Sequence, residues 1–172
     1  MNEKPIIGIL MGSDSDYGIM AESARVLKEF GVPYEMLVSS AHRSPERTTS
    51  YARQARERGL KALIVGAGAA AHLAGVVAAE TTLPVIGVPI DSSALKGLDA
   101  LLATVQMPAG IPVATMAIGK AGARNAGIFA AQILAATDEE VARRLAAFKT
   151  DMAEKVAVKS QTIKDRLAAD GL

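Results

Sequence analysis

A short polar stretch, residues 39–45 (Ser-Ser-Ala-His-Arg-Ser-Pro), separates an apolar run from a segment with helical periodicity. It holds His42, one of only 2 histidines in the chain. Histidine is the side chain most easily set to give and take protons near neutral pH, so His42 is a candidate acid and base. Arg43 beside it carries a permanent, forked charge suited to a phosphate or a carboxylate. The alternative is that both residues lie on a solvated turn without a function. Only their expected position at the ligand-binding edge of the sheet favours a catalytic role.

A second polar stretch, residues 12–16 (Gly-Ser-Asp-Ser-Asp), also follows an apolar run and precedes a helical pattern. The first N–H groups of a helix attract anions, and the hydroxyls of Ser13 and Ser15 add hydrogen bonds. A phosphate is the ligand that this combination favours. The carboxylate of Asp16 can accept hydrogen bonds from both hydroxyls of a ribose. Helix capping by the same serine and aspartate types explains the pattern at least as well.

A glycine-rich stretch, residues 66–71 (Gly-Ala-Gly-Ala-Ala-Ala), follows the third apolar run. With Asp91 roughly twenty residues later, it meets the dinucleotide-binding fingerprint and leaves a nicotinamide enzyme open. Against this, the fingerprint belongs in the first strand–helix unit, and no second domain remains to hold a substrate. The same glycines can instead form a backbone wall whose N–H groups face a carboxylate. His72 ends the stretch, and a capping or interface role is favoured for it.

Apolar runs alternate with helical patterns along the chain, which is typical of a parallel sheet covered by helices on both faces. Strands are predicted at 5–11, 34–38, 60–65, 83–89 and 113–118, and helices at 17–30, 45–59, 73–81, 98–105, up to 134, and 138–167. We predict an α/β fold, a three-layer flavodoxin-like parallel sheet with strand order 2-1-3-4-5 and a long C-terminal helix. Ligands of such sheets bind outside the carboxyl ends of the strands, where all three stretches fall.

Composition limits the function classes. The 172 residues predict one domain, 1–172, with a core over about 5–136 and a helical tail over about 138–172. The formal net charge of +1 gives no electrostatic case for a nucleic-acid or membrane surface. The chain contains no cysteine, which excludes thiolate catalysis and cysteine metal sites and fits a cytoplasmic setting. No signal peptide is predicted, and two histidines without an acidic cluster predict no metal.

Two segments, 73–79 and 126–136, are apolar on nearly every side of their predicted helices. Their small side chains let backbones approach closely. In a chain of this size we expect such surface to be buried against other copies, so the sequence predicts a homo-oligomer.

Five motifs occur in order along the chain: 11–16 (MGSDSD), 40–45 (SAHRSP), 66–73 (GAGAAAHL), 105–113 (VQMPAGIPV) and 117–122 (AIGKAG). Together they resemble the class I 5-(carboxyamino)imidazole ribonucleotide mutase family of bacterial purine biosynthesis. The resemblance implies a flavodoxin-like subunit of an octamer, with sites at subunit interfaces. It also implies transfer of a carboxyl group from the exocyclic nitrogen to the ring carbon of an aminoimidazole ribonucleotide, with no metal, biotin or ATP, and hence no cofactor.

The resemblance also implies roles for single residues. His42 becomes the general acid and base, Ser13 and Arg43 bind the phosphate, and Asp16 binds the ribose. Ser40 and the backbone of residues 68–73, with Gly68, Ala71 and Leu73, surround the migrating carboxylate, and Ser15 is a further substrate-binding residue. The small-molecule substrate is therefore expected to carry a phosphoribosyl group. His72 is a possible accessory residue.

The chain departs from the family pattern at four positions. Ala69 stands where glycine is usual, Ala74 where proline is usual, Tyr17 where tryptophan is common and Ser44 where threonine is common. The change at position 69 affects the predicted carboxylate wall most directly. Two alternatives stay open: a class II carboxylase that uses free carbon dioxide, and a non-catalytic module that binds a nucleotide.

Overall fold

The computed structural model describes residues 4–172, and residues 1–3 of the predicted domain lie outside it. Strands and helices alternate as the sequence predicts. The elements are β1 (Ile7–Met11), α1 (Tyr17–Glu29), β2 (Tyr34–Val38), α2 (Pro45–Gln54), β3 (Ala62–Gly68), α3 (Leu73–Ala79), β4 (Val85–Ile90), α4 (Leu98–Val105), β5 (Ala114–Thr115), α5 (Gly119–Ala135) and α6 (Glu139–Ala169). A short 3-10 turn, Asp14–Asp16, leads into α1.

The five strands form one parallel sheet in the order β2-β1-β3-β4-β5, which confirms the predicted topology. Met11 at the end of β1 lies opposite Val38 of β2 and Gly66 of β3. On the other side of β3, Gly68 pairs with Ile90 at the end of β4. The carboxyl ends of four strands therefore meet at one edge, and the loops that follow them leave the sheet side by side.

Each face of the sheet has its own hydrophobic core. Ile7, Ile9 and Met11 of β1 pack with buried residues of α1 and α5 on one face. Leu10 points to the other face and packs with buried residues of α2 and α3. This alternation follows from the two-residue period of a strand, and burial on both faces explains why β1 is an unbroken apolar run.

Three element boundaries differ from the predicted ones by about three residues or more, and the others by at most two. β3 continues to Gly68, so the first half of the glycine-rich stretch is strand, because residues 66–68 pair with β4. α2 ends at Gln54, and residues 55–59 continue as hydrogen-bonded turns. β5 has only 2 residues, because the chain leaves the edge of the sheet and α5 begins at Gly119.

The long C-terminal helix α6 is confirmed and runs for 31 residues. Asp138 caps it by accepting hydrogen bonds from the N–H groups of Glu140 and Val141, as expected of an N-cap aspartate. Val141 and Leu145 are buried against the body of the protein, whereas residues 151–172 are exposed. Within residues 4–172, no helix is long and apolar enough to cross a membrane.

The small-residue helices α3 and α5 pack largely within the chain. Ala123, Ala126, Ala130 and Ala131 of α5 are fully buried, and the buried positions of α3 belong to the core on the opposite face of the sheet. A Cβ at Gly127 would lie 2.9 Å from the Ser23 carbonyl oxygen of α1, so the small residue permits close helix packing. Much of the apolar surface that suggested an oligomer is thus covered inside one chain, and the oligomer stays a prediction.

A polar cluster fastens α2 and the turns after it to the edge strand β2. The Tyr51 hydroxyl donates to Glu35 Oε1 at 2.6 Å, and Arg58 donates to both Glu35 oxygens at 2.7 and 2.5 Å. Burial alone would raise the pKa of Glu35, but the hydrogen bonds from Arg58 and Tyr51 outweigh it and lower that pKa. Because β2 and α2 flank the polar stretch at 39–44, the cluster fixes both ends of that loop.

Replacing Glu35 by glutamine should lower the free energy of unfolding by about 1 kcal/mol at neutral pH, because the partly exposed ion pair is lost. A carboxylate whose folded-state pKa is lowered stabilises the protein above its unfolded value and ceases to do so as the pH falls. The difference between parent and Glu35→Gln should therefore be constant above the ordinary glutamate value of 4.5 and shrink below it.

Urea unfolding followed by circular dichroism at several pH values measures this difference. Glu57→Gln is the matched control, because Glu57 is exposed in the same segment and no ion pair involves it within residues 4–172. A Glu35→Gln deficit that stays unchanged well below pH 4.5 would contradict the assignment.

Candidate functional site

A cavity of about 350 Å³ opens at the carboxyl edge of the sheet. This volume is within the range of small-molecule sites. Its walls come from the loops after β1, β2, β3 and β4. They consist of Gly12, Ser13, Ser15, Asp16, Ser40, Ala41, His42, Arg43, Ala67, Gly68, Ala70, Leu73 and Ser92. Eight of the ten predicted site residues line the cavity directly; Ala71 and His72 are the two that do not.

The loop after β1 is held by its own side chains. Ser13 Oγ accepts a hydrogen bond from the Ser15 N–H, and Asp16 Oδ2 accepts one from the Ser13 N–H at 3.0 Å. This is a capping box, so the capping interpretation of the sequence is confirmed. Because those two N–H groups already have partners, an anion at this loop would meet the hydroxyls of Ser13 and Ser15 more readily than these amides.

Asp16 is the one buried carboxylate in the cavity wall, with 5% of its surface exposed. Burial raises its pKa, and hydrogen bonds from the backbone of Ser13 and Gly12 offset this only in part. A buried carboxylate gains from further donors. Asp16 is therefore suited to accept hydrogen bonds from the hydroxyls of a ligand.

The loop between β2 and α2 is closed by serine hydroxyls. Ser44 lies at the N-cap position of α2, but its hydroxyl makes no cap hydrogen bond there and instead donates to the Ser40 carbonyl at 3.0 Å. The Ser44 hydroxyl also accepts from the Ser40 N–H, and Ser40 Oγ accepts from the Arg43 N–H. These bonds bend the chain tightly, so His42 and Arg43 project from a fixed turn.

His42 is paired with the second histidine of the chain. Its Nε2 lies 2.9 Å from His72 Nδ1, and the two rings meet edge to face at 83°. One nitrogen must donate and the other accept, so the protonation of one ring sets the tautomer of the other. His72 occupies the N-cap position of α3, but its side chain makes no cap hydrogen bond there, so side-chain capping is not its role; an interface role stays a prediction.

Arg43 reaches across from the second loop to the first. Its Nη2 donates to the Gly12 carbonyl at 3.4 Å, which brings the guanidinium beside Ser13. A second cavity shares this wall and continues past Ser44 to Arg47. The positive charge and the serine hydroxyls thus converge at one end of the cavity, as an anion requires.

The glycine-rich wall differs in part from its prediction. Gly68 and Leu73 line the cavity, whereas Ala71 is buried behind it with 1% of its surface exposed. The N–H of Ala71 donates to the Ala69 carbonyl at 2.9 Å, so this amide is not free for a carboxylate. The nicotinamide alternative loses its support, because the fingerprint glycines lie within β3 and α3 begins only at Leu73.

Ala69 adopts a left-handed backbone conformation, with φ of 50°. Glycine takes this conformation without a steric cost, whereas alanine does not. Alanine at position 69 therefore strains the backbone.

Ser92 lines the cavity and was not predicted from the sequence. It follows β4, the next strand along the sheet, so the rule that ligands bind at the carboxyl ends was the available signal. A Cβ on Gly68 would collide with the Ser92 hydroxyl, so the glycine makes room for this side chain. Asp91 beside it is exposed and does not line the cavity.

No group of three or more His, Cys, Asp or Glu side chains within residues 4–172 is arranged to hold a metal ion. The two histidines pair with each other. That the site works without a metal stays a prediction.

Fold and site together define the class: a flavodoxin-like α/β protein with a small polar pocket at the point where the strand order reverses. A model of the AIR carboxylase family matches residues 6–155, most of the chain. The chain therefore belongs to the AIR carboxylase family, which confirms the resemblance drawn from its motifs.

Relatives of known name agree with this family. The chain is 60% identical over 142 residues to the N5-carboxyaminoimidazole ribonucleotide mutase of Bacillus subtilis, covering 83% of this chain and 88% of the relative. It is 54% identical over 164 residues to the mutase of Pyrococcus horikoshii, covering 95% and 92%. The crystal structure of Treponema denticola PurE has a TM-score of 0.84 at 30% identity, covering 93% of this chain and 99% of that one.

Ala69→Gly should raise the free energy of unfolding by about 0.5–1 kcal/mol, because it relieves the left-handed alanine while adding some entropy to the unfolded chain. Thermal and urea unfolding measure the gain. Ala70→Gly is the control, since Ala70 has no positive φ and should lose stability. If Ala69→Gly were no more stable than the parent, the strained conformation would be wrong.

Proposed function

We propose that this chain is an N5-carboxyaminoimidazole ribonucleotide mutase of purine biosynthesis. The observation that carries the proposal is one cavity whose walls hold both a paired histidine and an arginine beside serine hydroxyls. The first suits proton transfer and the second suits a phosphate. The family and the names of the relatives support the same activity.

The substrate is assigned by matching charges and donors. Its phosphate accepts hydrogen bonds from Ser13, Ser15 and Arg43, whose side chains converge at one end of the cavity. The two ribose hydroxyls donate to the buried carboxylate of Asp16. Such donors stabilise the ionised form, which the protein surroundings alone disfavour.

The aminoimidazole ring then reaches His42, and its carboxyl group reaches the second and third loops. Ser40 Oγ already accepts from the Arg43 N–H, which leaves the serine hydroxyl hydrogen free to donate to a carboxylate. Gly68 and Leu73 contribute the facing wall. Ser92 adds a further hydroxyl beside Gly68.

The reaction needs one proton to move twice. The bond between the exocyclic nitrogen and the carboxyl carbon breaks, carbon dioxide is released inside the cavity, and protonated His42 gives a proton to that nitrogen. The ring carbon then attacks carbon dioxide, a carbon–carbon bond forms, and His42 takes the proton that the ring carbon loses. Atoms and protons balance over the cycle, so a single histidine suffices as acid and base.

His72 orients the His42 ring during this cycle. Its ring nitrogen lies within hydrogen-bond distance of His42 and stabilises one tautomer at a time. His42 therefore does not work in isolation, and His72 acts as a positioning residue. Carbon dioxide carries no charge, so only close walls retain it, and alanine and glycine provide them at positions 41, 67, 68 and 70.

His42→Asn should lower kcat on the carbamate substrate by about 100-fold or more, because the group that moves the proton is removed. His72→Asn makes the same chemical change on its partner and should cost only about tenfold, because orientation is lost but the acid remains. Both variants should unfold at temperatures close to the parent. Turnover by folded His42→Asn within a few-fold of the parent would exclude the assigned role.

An assay with different substrates distinguishes the mutase from the second-class carboxylase and from a non-catalytic binding module. A mutase converts the carbamate without ATP, whereas a carboxylase of the second class requires aminoimidazole ribonucleotide with bicarbonate. Product formation from the first mixture and little from the second is the expected result. The reverse preference would indicate the carboxylase, and tight nucleotide binding without product from either would indicate a binding module.

We further propose that the chain works in the cytoplasm as a homo-octamer. Exposed apolar side chains support the assembly, since Leu95, Leu98 and Leu102 at and before α4 are each about half exposed or more. Analytical ultracentrifugation at micromolar concentration should give one species of eight chains. A stable monomer with full activity would contradict sites at subunit interfaces.

A further inference from the structure

Two buried hydroxyls join the two ends of the loop that carries His42. Ser39 follows β2, Thr48 lies in the first turns of α2, and their side-chain oxygens are 2.8 Å apart. Ser39 is 1% exposed and Thr48 is 0% exposed. Neither residue was among the predicted site residues, although Ser39 begins the polar stretch that holds His42. A buried hydrogen bond between strand end and helix start is expected to restrict the segment between them.

The direction of this hydrogen bond follows from counting protons. The Thr48 hydroxyl has one hydrogen, and it donates to the Ser44 carbonyl at 3.2 Å. Thr48 Oγ1 must then accept from the Ser39 hydroxyl. The Ser44 hydroxyl in turn donates to the Ser40 carbonyl at 3.0 Å. In this arrangement each hydroxyl hydrogen of Ser39, Ser44 and Thr48 has one acceptor, and together these bonds restrict the loop.

We infer that Ser39 and Thr48 are positioning residues for His42, an inference that rests on the proposed proton transfer at that ring. The Ser39 N–H donates to the Met11 carbonyl at 2.9 Å, so one end of the loop is fixed to the sheet. Thr48 fixes the other end through α2. His42 lies between them in the chain, and its ring nitrogen must stay within hydrogen-bond distance of His72.

Loosening the loop should affect proton transfer more than phosphate binding. Proton transfer depends steeply on the position of the imidazole. Arg43 has an independent contact with the Gly12 carbonyl, which holds the guanidinium beside the first loop. Loss of the Ser39–Thr48 hydrogen bond should therefore lower kcat and leave KM nearly unchanged.

Thr48→Val keeps the shape of the side chain and removes its hydroxyl, and Ser39→Ala removes the partner. Each change should lower kcat by about five- to twentyfold, while KM changes less than about threefold. The double variant should be little slower than Thr48→Val, because Thr48→Val already removes the hydrogen bond with Ser39. Thr48→Ser restores the hydroxyl and should recover most of the parent kcat.

Thr104→Val is the matched control for stability. Thr104 is 2% exposed, and its hydroxyl donates to the Ala100 carbonyl four residues earlier, as Thr48 does to Ser44. It does not line the cavity. Thr104→Val should lose thermal stability to a similar degree and keep kcat within about twofold. Equal losses of kcat in Thr48→Val and Thr104→Val would overturn the inference.

A second measurement keeps this inference separate from the proposed reaction. The chain has only 2 histidines, so a nitrogen NMR spectrum of histidine-labelled protein reports the His42–His72 pair directly. Thr48→Val should shift or broaden the ring signals, and Thr104→Val should leave them unchanged. Unchanged ring signals in Thr48→Val would refute the positioning role even if the parent turned over no substrate, whereas a parent without turnover would refute only the proposed function.

Discussion

The site depends on the register of the parallel hydrogen-bond ladder. The ladder continues one residue past the strands, since the Gly12 N–H donates to the Gly66 carbonyl and the Ser39 N–H donates to the Met11 carbonyl. Buried backbone groups must be paired, so a shift of one strand would leave several of them without partners. This constraint brings together two histidines that are 30 residues apart in the sequence.

Gly66 and Gly68, near the end of β3, leave room for neighbouring side chains at the pocket edge of the sheet. A Cβ on Gly66 would collide with the Met20 side chain, and one on Gly68 would collide with the Ser92 hydroxyl. A larger residue at either position would have to displace the Met20 side chain of α1 or the Ser92 side chain at the pocket. The glycines of this stretch therefore serve close approach between elements, as glycine does where backbone and neighbouring groups must meet.

Periodicity predicted the fold because each strand and helix carries its own signal in the sequence. The unbroken apolar run of β1 and the glycine that ends α1 are local features of the sequence. The first was sufficient to predict the strand, and the second to predict the end of the helix. The contact of His42 with His72, and the place of Ser92, depend on how separate loops cross at the edge of the sheet. Such contacts have no local pattern, so the sequence identified the candidate residues but not their partners. β5 was predicted too long because the apolar residues continue past the strand through 116–118, the connection that precedes α5.

The pocket loops are ordered mainly by their own side chains. Asp16 and Ser13 close the first loop, and Ser40, Ser44 and Thr48 close the second. The loops are therefore ordered when the protein folds, so the binding of a ligand does not incur the entropy cost of ordering them. The same bonds occupy several backbone amides, so ligand recognition falls to side chains: the serine hydroxyls, the Asp16 carboxylate, the Arg43 guanidinium and the His42 imidazole. In the proposed reaction the carboxyl group leaves as neutral carbon dioxide, so hydroxyls, which bind a carboxylate without a full opposite charge, suit its movement.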